Sequence, residues 1–271
     1  MSIATHLVRL HHARTKEVQQ IFSKVPDGHF QTGLELGSGD GFQSQLLTKY
    51  IVDFTSSEFN GDDLVQSNPR TTYMEVDAEQ VDAYFKSGTF DIIYSSNLLE
   101  HLPNSMSALK RMRRVMAKGG IGIHVMPSPT WKISKLTVHF PVLAVRVIRK
   151  MMGLSSKPAG PINPRDNNPK FERSARKTDF SRHLPQVHGV SSGNIAEIFA
   201  FRRLRWQAEF EESGYEIIGV RKGPYHIGGL SAEMLEFLEK CGLSTEWIYF
   251  VVDAECSHER KLALKEMFSF R

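Results

Sequence analysis

The sequence predicts an α/β fold, a mostly parallel sheet wound with helices on both faces. Three observations predict it. Short apolar runs rich in β-branched and aromatic residues alternate with helix-compatible stretches along the first half of the chain. The first run ends in a glycine-rich turn, Leu34-Glu35-Leu36-Gly37-Ser38-Gly39-Asp40-Gly41. The next run, Ile51-Val52-Asp53-Phe54-Thr55, delivers an acidic residue, Glu58, 23 positions after Glu35. In open α/β sheets ligands bind beyond the carboxyl ends of the strands, and an acidic side chain about twenty positions after the turn can hold a ribose diol.

The elements follow in order. Residues 5–24 have a helical look, with apolar Leu7, Leu10, Val18 and Ile21 among polar residues; His11 and His12 there read as partly exposed helix residues. After the glycine turn an apolar helical stretch runs through Leu46 and Leu47. Tyr73-Met74-Glu75-Val76 is a short strand leading to Asp77-Ala78, and Phe90-Asp91-Ile92-Ile93-Tyr94-Ser95-Ser96 is an apolar strand leading to Asn97-Leu98-Leu99-Glu100-His101-Leu102. A helix over 105–116 is expected to end at Lys118-Gly119-Gly120, since basic residues and glycine suit a helix C-terminus. A strand over 121–126 stops at Pro127. Later come a helical stretch over 194–213, a strand over 215–220, a helix over 232–240, a strand over 247–252 and a charged tail helix from His258.

The glycine turn carries the chemistry. Glycines at 37, 39 and 41 permit positive φ and close approach of a ligand to the backbone. The dinucleotide fingerprint G-x-G-x-x-G fails, because its third glycine falls on Phe42; a P-loop fails because no Gly-Lys-Ser/Thr follows. Glu35 beside the turn disfavours a pure phosphate cradle and favours a ligand with hydroxyls or positive charge.

With these segments in place, the sequence resembles the class I S-adenosylmethionine (SAM)-dependent methyltransferases, particularly the broad type 11 group of small-molecule enzymes. The resemblance rests on ELGSGDG, Glu58, the VDAE segment at 76–79, FDIIYSSNLLEHL and the RMRRVMAKGG run; it is strong over residues 15–129 and weaker over 188–253. It implies a Rossmann-like, doubly wound, seven-stranded and mostly parallel sheet, and S-adenosyl-L-methionine as cofactor. It implies that the glycine loop, with Glu35, Gly37, Ser38 and Gly39, wraps the methionine part of SAM. Glu58 would bind the ribose hydroxyls, Asp77 the adenine amino group with the backbone of Ala78 beside it, and Ser96 completes the cofactor set.

The chain reads as one methyltransferase domain over 1–271, with residues 127–190 as a basic, Pro-rich insertion, or lid, after the fifth strand. Between 131 and 185 there are 12 Lys or Arg against 3 Asp or Glu, so this segment alone makes the chain basic. A helix over 141–152 with Arg146, Arg149 and Lys150 on one face, then an irregular loop over 157–185, are expected there. Three uses are open: an anionic membrane surface, a phosphate-bearing glycan- or lipid-linked substrate, or a lid whose charges are merely solvated.

No long uncharged apolar run or export leader is seen, and Cys241 and Cys256 form no metal-type cluster; a cytoplasmic protein without a metal is the expectation. Nucleic acid is not expected as a partner, since no binding module is recognisable and no Pro-Pro motif of base-amino methylation follows the fourth strand. Pyrimidine carbon methylation would need a cysteine nucleophile, and both cysteines lie near the C-terminus. Methylation of a small-molecule or glycan/lipid-linked acceptor, at oxygen, is the most economical reading. His188 and His101 are the candidate general bases because histidine titrates near neutral pH; His124, inside a strand, reads as structural, and Glu197 as a residue that orients a base or binds sugar hydroxyls. A non-catalytic SAM-binding or membrane-surface adaptor is the alternative from another class, and the oligomeric state stays open.

Overall fold

The structure, a computed structural model, describes residues 3–63, 68–137, 139, 187–227 and 230–270. Seven strands form one sheet: β1 (Phe30–Leu36), β2 (Ile51–Glu58), β3 (Thr71–Glu75), β4 (Phe90–Ser96), β5 (Met116–Pro127), β6 (Tyr215–Lys222) and β7 (Glu246–Asp253). Their order is β3-β2-β1-β4-β5-β7-β6; the first five are parallel and β7 runs antiparallel between β5 and β6. The expected seven-stranded, mostly parallel sheet is therefore present. Strand order reverses between β1 and β4, which opens a crevice at their carboxyl ends.

Period-two side-chain alternation supplies both cores. Ile92 and Tyr94 of β4 join α1 (Ile3–Phe22), through Val18, Ile21 and Phe22, and Phe268 just past the last helix. Ile93, with Leu34 and Leu36 of β1, faces the other way onto α3 (Ser105–Val115), where Leu109 and Met112 are fully buried. Helix α2 (Phe42–Leu47) follows the glycine turn; a helical segment over 129–137, here α4, follows β5.

Two sequence expectations need correction. The helix before strand five ends at Val115, and Lys118-Gly119-Gly120 lies inside β5. The register along β4 jumps from Met116 opposite Phe90 to Ile121 opposite Ile92. Gly119 takes φ +80 and a Cβ on Gly120 would come 2.9 Å from the Phe90 carbonyl oxygen, so the glycines serve a bulge rather than a helix cap. The single helix expected over 194–213 is two, α5 (Asn194–Ala200) and α6 (Arg203–Glu212). Between them Phe201 is buried against Trp131, ring centroids 6.0 Å apart, and extended Arg202 restarts the helix. Helices α7 (Ala232–Lys240) and α8 (His258–Met267) complete the chain. The expected 141–152 helix and 157–185 loop lie outside the described residues.

Candidate active site

The glycine turn leaves β1 at the switch point. Gly37, Gly39 and Gly41 take φ of 76°, 60° and 72°, a left-handed path closed to most side chains. The N–H groups of Gly37 and Ser38 both donate to the Ser57 carbonyl, which ties the turn to β2. Glu58 ends β2 beside it: one carboxylate oxygen accepts from the Gly39 N–H at 2.8 Å and the other from the Phe59 N–H at 3.1 Å. Val76 donates to the Glu58 carbonyl, and this brings Asp77 and Ala78 to the same crevice. Asp77 caps the following 3-10 turn through the Glu79 N–H, 2.9 Å. Ser38, Glu58, Asp77 and Ala78 thus converge on the carboxyl ends of β1, β2 and β3.

Glu35 has a different setting from its neighbours. Its carboxyl group is buried beneath the turn, where the Ser44 and Ser56 hydroxyls donate to it at 2.5 and 3.3 Å. Burial, reinforced by the charges of Glu58 and Asp40, pushes its pKa up to about 7, the serines opposing. The side chain therefore holds α2 to β1 and β2 from below.

Helix α1 closes the crevice. His11 Nε2 is 2.8 Å from an Asp40 carboxylate oxygen and its ring stacks on Phe42 at 3.9 Å, so His11 is part of the turn's setting rather than a bystander on the helix. One helical turn on, Arg14 donates to Glu17 at 2.6 Å, to Ser96 at 2.9 Å and to Glu246 at 3.0 Å. Tyr94 and Gln43 also donate to Glu17. One part-buried cation here faces two carboxylates, of which Glu17 is fully buried and Glu246 nearly so. Burial works against the Arg14 charge, but Glu17 and Glu246 hold its pKa above the ordinary value; burial pushes Glu246 up to about 8. Ser96 belongs to this network, which sequence reasoning missed apart from that serine. The signal available was an Arg-x-x-Glu pair at helical spacing on α1; Glu246 lies 232 positions from Arg14 and gave none.

Past Ser96, Leu98 packs its Cδ1 over Gly37, 3.1 Å from where a Cβ would sit. The 3-10 turn Leu99–His101 then presents Glu100 and His101. His188, though 87 positions away, places its Nε2 3.1 Å from that of His101. The two candidate bases are brought together. Their neighbourhood is built from segments far apart in sequence, with the Trp131 ring 5.0 Å from that of His188. Glu197 of α5 accepts from the His188 backbone N–H and pairs with fully buried Lys132 of α4. His124 lies apart, buried between β5 neighbours with Nδ1 2.8 Å from Ser95 Oγ; burial lowers its pKa to about 3, so it stays neutral.

Residues 34–123 match the family described as "Methyltransferase domain". This stretch, from β1 through most of β5, is therefore similar to methyltransferase domains. It is similar to trans-aconitate 2-methyltransferase of Agrobacterium fabrum (strain C58), 21% identical over 141 residues, which are 50% of this chain and 54% of that one. The chain thus spans about half the length of the curated relative it matches. Its fold is similar to that of an S-adenosylmethionine-dependent methyltransferase from Mesorhizobium loti, TM-score 0.53 at 14% identity, covering 88% of this chain and 97% of that one. A Listeria monocytogenes structure described as such a methyltransferase gives TM-score 0.55 at 11% identity over 92% of this chain and 100% of that one. At these identities the structural likeness concerns the fold.

Both of those structures are described as S-adenosylmethionine-dependent, and the residues here fit that cofactor. A turn with three positive-φ glycines allows a ligand against bare backbone, and Glu58 offers a part-exposed carboxylate beside it.

Proposed function

We propose that the protein transfers a methyl group from SAM to an oxygen atom of a small-molecule or glycan/lipid-linked acceptor. The observation that carries this reading is the continuity of the crevice: Leu98 packs on the glycine turn, and the His101–His188 pair begins three residues beyond it. The similarity to a methyltransferase named for trans-aconitate agrees with a small acceptor. SAM, when bound, supplies a methyl carbon on a sulfonium, and the electron pair of the broken C–S bond stays with sulfur.

The chain's own residues bind, orient and handle a proton. The glycine turn, Ser38 and Glu58 hold the methionine and ribose portions; Asp77 and Ala78 flank the base; Ser96, fixed by Arg14, borders the reacting end. Alignment of donor and acceptor supplies most of such an acceleration, since a well-oriented pair reacts as if at very high local concentration. His101 and His188 are the groups placed to manage the acceptor's proton. Trp131, whose ring lies 5.0 Å from that of His188, shields this side of the pair from water.

Incubation of the full chain with methyl-labelled SAM and a cell extract, followed by separation of small molecules from macromolecules, tests the proposal. Label in the small-molecule fraction, on an oxygen by mass spectrometry, is expected. SAM binding without any labelled acceptor would favour a non-catalytic SAM-binding role, and label confined to nucleic acid or protein would overturn the small-acceptor reading. Among the described residues no helix is long and apolar enough to cross a membrane.

A further inference from the structure

Glu100 presents an unexplained charge. The residue is only 4% exposed, and neither carboxylate oxygen has a hydrogen-bond partner among the described residues. A buried carboxylate left this way is costly, so the fold retains it for a reason. One oxygen, Oε1, faces His188 Nε2 at 3.6 Å and His101 Nε2 at 3.8 Å, too far for good hydrogen bonds. The two imidazole nitrogens face each other at 3.1 Å. These three edges close a triangle whose centre lies about 2.0 Å from every corner, the length of a zinc–nitrogen or zinc–oxygen bond.

We propose that Glu100, His101 and His188 hold a divalent transition-metal cation. Two imidazoles and one carboxylate suit zinc, iron(II), cobalt(II) or nickel(II); magnesium and calcium prefer sets of oxygen alone. Each histidine binds through a neutral Nε2 lone pair, so the Nε2–Nε2 hydrogen bond is exchanged for a shared Lewis acid, and the carboxylate gains a close partner. With three protein ligands, further positions stay open to water or to an acceptor oxygen. Both histidine side chains are partly exposed, which puts the open positions toward the crevice.

The surroundings hold this geometry. The Val190 N–H donates to the Glu100 carbonyl at 3.2 Å, and Gly189 takes φ +82 directly against that oxygen. Glu197 binds the His188 backbone N–H and is itself held by Lys132. Glu100 and His188, distant in sequence, are thereby held side by side. Sequence reasoning expected no metal because it looked to cysteine spacing, which is silent about histidines 87 positions apart.

The role of the cation in the reaction rests on the methyl-transfer reading. An acceptor hydroxyl bound at an open position loses its proton to water at a lower pH than it would free in solution, and the oxygen becomes the nucleophile; with the cation bound, His101 and His188 act as its ligands and the general-base role given to them above passes to that water. The existence of the site does not rest on that reading.

The test is cobalt(II) binding to the chelator-treated full chain, read by visible absorption and by metal content after dialysis, with zinc as competitor and SAM affinity measured in parallel. One cobalt per chain is expected, with a d–d band that zinc abolishes. Glu100→Gln, His101→Gln and His188→Gln should each weaken cobalt binding at least about tenfold while SAM affinity stays within about twofold, since the ligand atoms lie outside the SAM contacts. Wild-type chain that binds SAM but no cobalt would overturn the proposal. So would three folded variants that bind cobalt like the wild type. Cobalt bound at these residues without SAM binding sustains the cation site and removes the methyl-transfer reading instead.

Discussion

Gly189 lies against the carbonyl oxygen of Glu100 with no room for a side chain: a Cβ would come within 2.4 Å of that oxygen, at a φ of +82. The contact is backbone to backbone, so no rotamer change relieves it. Gly189→Ala must move residues 188–190 away from Glu100, and His188 with them. We expect kcat/KM to fall at least about tenfold, about 1.4 kcal/mol in the barrier, with SAM affinity unchanged. Steady-state kinetics beside calorimetry checks this; full activity would show that the 188–190 segment is not part of the site.

Glu58 is the proposed ribose-binding residue most open to a direct measurement. Hydrogen bonds to charged groups contribute about 1.5–3 kcal/mol each, so Glu58→Ala should raise the Kd for SAM by about ten- to a hundredfold. Gly39→Val should block binding outright, because Gly39 takes a φ of 60° and donates its N–H at the lip of the turn. An unaltered Kd in either variant would displace the turn from the cofactor site.

Glu35 makes stability depend on pH. Its carboxyl group titrates near 4.5 when free and near 7 in the folded chain, chiefly through burial. Between those values the folded state keeps a proton that the unfolded state has lost, so the contribution is full below about pH 4.5 and is gone above about pH 7. The loss is on the order of 3 kcal/mol. Glu58 and Asp40 face it as charges, Ser44 and Ser56 as hydroxyls. Chemical denaturation of the wild type and Glu35→Gln at pH 5 and pH 8 gives the comparison: the gap between the two proteins should change with pH. A constant gap would show that Glu35 ionises normally.

Arg14 stands between Glu17 and Glu246 at 2.6 and 3.0 Å. Removing a single partner from a buried ion pair typically costs about 3–5 kcal/mol, since the charge left behind stays dry. Arg14→Met should therefore destabilise the fold by about that much, read from urea midpoints. A double variant, Arg14→Met with Glu246→Gln, should recover part of the loss. A single variant as stable as the wild type would mean that water reaches both carboxylates.

Much of the sheet was legible because each inner strand is a short apolar run bounded by breakers. Ile92 and Ile93 show why: burial on both faces makes the run continuous, and a glycine or polar turn ends it. The Lys118-Gly119-Gly120 run misled because glycine after a helix serves a cap or a strand bulge equally well, and only the pairing with Phe90 decides between them. The break at Phe201 was hidden for a related reason. No glycine or proline marks it; Phe201 packs there against Trp131, a contact 70 positions away in sequence.

By itself the sequence determined the α/β pattern, the glycine turn and the acidic residues that follow it, because those features are encoded within single strand–turn–helix units. Tertiary structure alone decided what surrounds them. It put Arg14 between carboxylates 3 and 232 positions away, sealed Glu35 beneath the turn it precedes, and set His188 beside Glu100 and His101. The physical reason is that hydrogen bonding within a turn is local, whereas burial and charge pairing depend on which distant segments the closed sheet brings together.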